Sequence, residues 1–121
     1  MRDYRKIDAW KLADELTMAV YEQTRAFPRE ETYGLTSQIR RSAYSVPSNI
    51  AEGSARNTKK DYLGFLYIAR GSLTETQYFV HLSHRLGYLP DSAKTQLMDL
   101  IRQAFGKLHG LIMVVESEAA Q

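Results

Sequence analysis

Between Leu35 and Arg56 the positions Ile39, Ala43, Val46, Ile50 and Gly53 follow one another at intervals of 4, 3, 4 and 3 residues. Polar residues fill the gaps: Gln38, Arg40, Arg41, Ser45, Ser48, Asn49 and Glu52. That alternation holds a narrow stripe of small side chains on one side of a helix, the seam of a tightly packed bundle. Pro47 falls inside the pattern, where it removes one backbone hydrogen bond and crowds the preceding turn, at a cost of about 3 kcal/mol. The seam stays in phase on both sides of it, so the pattern predicts one Pro-kinked helix, with a break at Val46 as the alternative. Gly53 reads two ways, as a point of close approach to a neighbouring helix or as the helix end. Leu35 and Thr36 form the predicted entry, with Thr36 as N-cap.

The rest of the chain repeats the pattern. Trp10, Ala13, Thr17, Val20, Thr24 and Phe27 alternate at intervals of 3 and 4, widened by Leu12, Leu16 and Ala19. Asp8 is the predicted N-cap, after a polar arm over residues 1–8, and Pro28 stops this first helix because its ring disfavours helical geometry in the residue before it. A polar loop, Arg29 to Gly34, leads into the second helix. Thr58 and Asp61 form a capping box for the third helix, whose seam is Tyr62, Leu66, Ala69, Leu73, Thr76, Val80 and Ser83. A second row, Phe65, Ser72, Phe79 and Leu86, lies beside it. Gly87 is the predicted C-terminal cap, and Pro90 prevents continuation. Asp91 or Ser92 opens the fourth helix, with Leu97, Ile101, Ala104, Leu108, Leu111 and Val115 on its seam and Met98, Phe105 and Ile112 in a parallel row. The tail over residues 117–121 is predicted to fray.

Four such segments of about 20 residues, each about 30 Å long, predict an all-α chain. Short connections make it an up-down-up-down antiparallel four-helix bundle, one domain over residues 1–121. The stripes on the first, third and fourth helices are wider than one seam needs. Either a thick core absorbs them or one row faces another subunit. The second reading is preferred, since long exposed apolar rows mark interfaces, and it predicts a homo-oligomer.

Composition changes this picture little. A chain of 121 residues, 44% hydrophobic and 25% charged, supports one core of its own rather than a disordered ensemble. It has no cysteine, which removes disulfide frameworks, thiolate zinc sites and thiol nucleophiles together and suits a reducing compartment. The polar run Met1 to Lys6 is no signal peptide, and no stretch reaches the roughly 18 apolar residues of a membrane span. A cytoplasmic protein with no membrane contact is expected.

Charge adds a direction. The net value of +2 is small, but between Ser37 and Arg70 six basic residues face only Glu52 and Asp61, a surplus of four. Arg40 and Arg41 lie on the outer flank of the second helix, and Arg56, Lys59 and Lys60 at the turn into the third. Such a patch neutralises phosphates, the term behind most non-specific nucleic-acid affinity. Tyr44 and Tyr62 are nearby candidates for stacking on unpaired bases. The alternative is an ordinary solvated face with the tyrosines in the core.

The sequence carries no catalytic constellation. Carboxylate-bridged metal pairs in bundles need Glu-x-x-His, and the residues three before His81, His84 and His109 are Tyr78, His81 and Gly106. His81 and His84 lie one turn apart and would clamp a metal from one side, but a third ligand is missing. Nucleotide-binding glycine loops are absent. Glu52-Gly53-Ser54 and Arg70-Gly71-Ser72 lack the pattern of a nucleophile elbow. In a helix, Gly71-Ser72 reads as a small patch for close packing, and Glu52 with Asn49 as an interhelical hydrogen-bond network. No catalytic residue, cofactor or metal is predicted.

Pro28, Glu31, Tyr33-Gly34-Leu35-Thr36, Gln38-Ile39-Arg40-Arg41, Ser45-Val46-Pro47, Asn49-Ile50-Ala51-Glu52-Gly53, Gly71-Ser72 and Glu75 together resemble the 23S rRNA intervening sequence protein family, also called four helix bundle proteins. Ser42 and Tyr44 depart from the alanine-rich pattern at those positions. The resemblance implies a small four-helix bundle assembled as a homopentameric ring. It also implies relatives encoded within insertions in ribosomal RNA genes, and others, in diversity-generating retroelements, that are basic pentamers binding nucleic acid and a reverse transcriptase. The expected function is a non-catalytic homo-oligomer that binds RNA or DNA through Arg40, Arg41, Arg56, Lys59 and Lys60. The alternative is a structural adaptor that docks a protein partner such as a nucleic-acid enzyme.

Overall fold

The computed structural model describes residues 2–121, and the seams above become four helices: α1 (Asp8–Thr24), α2 (Leu35–Ser54), α3 (Lys59–Arg85) and α4 (Asp91–Ala119). Short 3-10 turns, Tyr4–Lys6 and Arg29–Glu31, precede α1 and α2. Each helix packs on its chain neighbours, and α1 closes against α4. With the short connections this is an antiparallel four-helix bundle, and no strand occurs among the described residues.

The stripes form its core. In α3 all the seam residues, Tyr62 through Ser83, are buried. In α2 the seam Ile39, Ala43, Val46, Ile50 and Gly53 is buried, joined by Ser42 and Pro47. Leu16, Leu66, Leu73, Leu97 and Ile101 are fully enclosed, each contributing about 2 kcal/mol by leaving water. On α4 the expected phase drifts: Ile112 is buried and Leu111 only half-buried. A straight helix turns every 3.6 residues, so a strict 4-3 repeat slips off its face within a few turns and an extra step of four restores it.

Hydroxyl pairs cross the α2–α3 interface. Thr76 donates to Ser42 at 2.9 Å, Ser45 and Ser72 share a hydrogen bond of 2.9 Å, and Asn49 Nδ2 donates to the Ser45 carbonyl at 2.8 Å and its hydroxyl at 3.0 Å. Asn49 thus joins an interhelical network, whereas Glu52 pairs with Arg56 on its own strand of chain at 3.1 Å. Gly71 contributes no close packing, since a Cβ there would meet only open space.

Helix α2 runs unbroken through Pro47. The missing N–H leaves the Ala43 carbonyl free, and Thr17 of α1 donates to it at 3.1 Å.

Two caps differ from expectation. Asp8 is already helical, because extended Ile7 (φ −80°, ψ 121°) takes the N-cap place; the Asp8 carboxylate instead favours the positive end of the helix dipole. Thr36 is likewise inside its helix. Gly34 holds the N-cap position, Glu31 Oε1 accepts from the Leu35 N–H at 3.3 Å, and the Thr36 hydroxyl is buried without a partner among the described residues. Thr58, by contrast, caps α3 as expected by accepting from the Asp61 N–H at 3.1 Å. At Gly87 the φ of +81° closes α3, with its N–H on the His84 carbonyl and that of Tyr88 on Ser83, the paired bonds of a Schellman end. The tail expected to fray is helical through Ala119, and Glu118 meets Lys59 at 3.2 Å.

Candidate nucleic-acid interface

The turn between α2 and α3 is tight because Gly53 has no side chain. A Cβ there would lie 2.8 Å from Phe65 Cβ and 3.0 Å from Tyr62 Cδ1. Both readings of Gly53 therefore meet, a close approach one residue from the helix end. This turn carries Arg56, Lys59 and Lys60 to one end of the bundle. Arg56 reaches back to Glu52 and lies over the Phe65 ring, 4.6 Å from its centroid. Lys59 contacts Glu118, and Arg2 approaches the same carboxylate oxygen at 3.8 Å while covering the Tyr62 ring at 4.9 Å. Lys60 is exposed and has no ion pair among the described residues.

Arg40 and Arg41 are elsewhere. They lie 14 and 13 residues before Ser54, the last residue of α2, which at 1.5 Å per residue sets them about 21 and 20 Å from the turn that carries Arg56. Arg40 is occupied: its Nε donates to Thr24 Oγ1 at 2.9 Å and its guanidinium covers the Tyr21 ring at 4.7 Å, clasping the last turn of α1. Arg41 is exposed, without an ion pair among the described residues. The structure thus gathers Arg56, Lys59 and Lys60, sets Arg41 apart, and gives Arg40 a packing task.

The two tyrosines separate as well. Tyr44 is exposed, but Tyr62 is 1% exposed and points no face at solvent, so it stacks on no base. Burial pushes its phenol pKa up, and its hydroxyl has no partner among the described residues. The aromatic ring at the basic end is Phe65. With Arg56, Lys60, Gly64 and Ile68 it lines an open groove of about 440 Å³, to which Asp61 adds one carboxylate. In the sequence Phe65 belongs to the second row beside the α3 seam; its place four residues after Asp61 and five after Lys60 is the signal that puts it on this side.

His84 Nε2 lies 2.7 Å from Asp91 Oδ1, joining the end of α3 to the start of α4, and this hydrogen bond holds the Asp91 carboxyl below the ordinary range. His81 is exposed beside Tyr78. Among the described residues no three His, Asp or Glu side chains converge as a metal site would need. No helix among them is long and apolar enough to cross a membrane.

A four-helix bundle with a basic turn at one end defines the class. The chain belongs to the 23S rRNA-intervening sequence protein family, whose profile matches residues 5–110. Its fold is similar to a crystal structure from Bacteroides thetaiotaomicron, described as a protein of unknown function from the S23 ribosomal protein family. The two share 20% identity with a TM-score of 0.78, covering 86% of this chain and 97% of that one. No curated protein matches the chain.

Proposed function

We propose that the protein is a non-catalytic homo-oligomer that binds RNA or DNA through phosphate contacts at the α2–α3 turn. The observation that carries this reading is the groove where Arg56 and Lys60 flank Phe65 and Ile68. Cations at its rim suit phosphates, and the apolar floor suits an unpaired base. Lys59 adds to the field, and Arg41 provides a separate contact along the outer side of α2. The family's name, which refers to insertions in 23S rRNA, favours RNA.

Self-assembly supports the reading, because it repeats a modest patch around a symmetric particle. Gly71 and Tyr78 on α3 are exposed, as are Gly106, Gly110, Met113 and Val114 on α4. Small and apolar residues on adjacent outer faces suit a copy-to-copy contact. The assembly is a ring, a pentamer by family resemblance, and the cysteine-free chain works in the cytoplasm.

The test is binding to a single-stranded RNA and an RNA duplex across a salt series. The affinity falls steeply with salt, and charge reversal at Arg56, Lys59 and Lys60 together abolishes most of it. Full affinity in the reversed variant refutes the reading. A second reading, an adaptor that docks a protein partner, rests on a different groove between α1 and α2, whose carboxylates are unsuited to phosphate.

A further inference from the structure

We propose that the groove between the first half of α1 and the second half of α2 binds a basic, extended segment of a protein partner, with arginine or lysine heads resting on the aromatic rings at its two ends. This deepens the adaptor reading and is independent of the phosphate-binding turn. At one end Tyr4 and Trp10 meet edge to face, ring centroids 5.0 Å apart. At the other stands Tyr44, 47% exposed. Between them the floor is made of small or ring-closed residues, Pro47, Ser48 and Ala51, which leaves a concavity of about 620 Å³. The nine residues from Tyr44 to Glu52 span about 12 Å of helix, the reach of three to four extended residues.

The chemistry of the lining selects the occupant. Asp14 projects from α1 and Glu52 from α2, and both line the groove. Glu52 already pairs with Arg56, whereas Asp14 has no ion pair among the described residues. Aromatic faces attract cations and carboxylates repel phosphate, so the two features agree on a cation and against nucleic acid. The floor offers few donors. Pro47 has no N–H, and the Ser48 hydroxyl is spent on the Tyr44 carbonyl at 2.9 Å. An acceptor-rich slot with aromatic ends fits a group that only donates, which describes guanidinium and ammonium. Its length favours a peptide over a free small cation, because one ammonium fills only part of it.

Trp10 is the only tryptophan in the chain, so its emission reports the groove directly. The experiment titrates an Arg-Gly-Arg peptide into the full chain. A saturable change in emission is expected, weakened about fivefold or more by Asp14→Asn and by Tyr44→Ala, as loss of one cation–π or charge contact implies. Asp14 and Tyr44 are exposed, so both variants keep the core. Lys60→Glu leaves peptide affinity unchanged, and Asp14→Asn leaves RNA affinity unchanged, which separates this proposal from the phosphate reading. The proposal is overturned by no saturable change, by equal binding of a Gln-Gly-Gln peptide, or by unchanged affinity in both variants. Emission that shifts with protein concentration alone also overturns it, by showing a second copy in the groove.

Discussion

The hydroxyl of Thr17 and the carbonyl of Ala43 lie 3.1 Å apart across two helices, and the reason is a third residue. Pro47 cannot donate to the carbonyl four residues before it, so α2 alone leaves Ala43 unsatisfied. Thr17 shares its proton between that oxygen and the Ala13 carbonyl, 2.8 Å away on its own helix. Thr17→Val keeps the shape and removes the donor. It is expected to destabilise the fold by about 1 kcal/mol. In a Pro47→Ala background, where the N–H is restored, the same change costs less than half as much. Urea denaturation of the four members of this cycle checks the coupling.

Gly53 and Gly71 are opposite cases of one residue type. Gly53→Ala pushes a methyl group against Phe65 Cβ and the Tyr62 backbone carbonyl, and a loss of about 1–3 kcal/mol is expected despite the better helix propensity of alanine. Gly71→Ala meets nothing in the protomer, and a gain of about 0.5–1 kcal/mol is expected from propensity alone. Gly71→Arg keeps the helix content but lowers the mass measured under native conditions, because Gly71 lies on the proposed contact face. Circular dichroism and native mass spectrometry together read both effects.

Arg40 and Lys60 exchange roles under mutation. Arg40→Met loses the bond to Thr24 and the cover over Tyr21, with an expected cost of about 1 kcal/mol and no change in RNA affinity. Lys60→Glu leaves the unfolding midpoint in place and weakens RNA binding severalfold. Thermal melts beside filter binding distinguish the pair.

The His84–Asp91 contact makes stability depend on acid. The hydrogen bond from His84 lowers the Asp91 pKa in the folded state. The contribution is therefore full above the unfolded carboxylate value near 3.9 and is lost as pH falls through the lower folded value. Asp91→Asn is expected to be less stable than the parent at pH 5, with the two converging towards pH 2. Urea midpoints at each pH follow the difference.

Periodicity made the bundle readable because burial has to recur at the helical repeat. The α3 seam from Tyr62 to Ser83 came through whole for that reason, and so did local chemistry such as the Thr58 cap and the positive φ of Gly87. What failed depended on partners outside the helix concerned. Thr36 looks like an N-cap until Glu31 arrives from the preceding turn and takes the task. Arg40 looks like a free cation until Thr24 and Tyr21 pack beneath it. A basic run in sequence becomes a patch only if the helix does not spread it, and the 13 residues of α2 from Arg41 to its end at Ser54 spread this one.

The rungs Ser42–Thr76 and Ser45–Ser72 set how α2 and α3 can be aligned. Apolar seams are nearly indifferent to slippage, since one greasy layer resembles the next. Displacing α3 by a single turn, about 5.4 Å, would break the Ser42–Thr76 and Ser45–Ser72 bonds together. The cost falls at once on both rungs, so intermediate offsets gain nothing. The ladder acts as a key, admitting one vertical setting and keeping the Arg56 end and the Gly87 end at fixed heights.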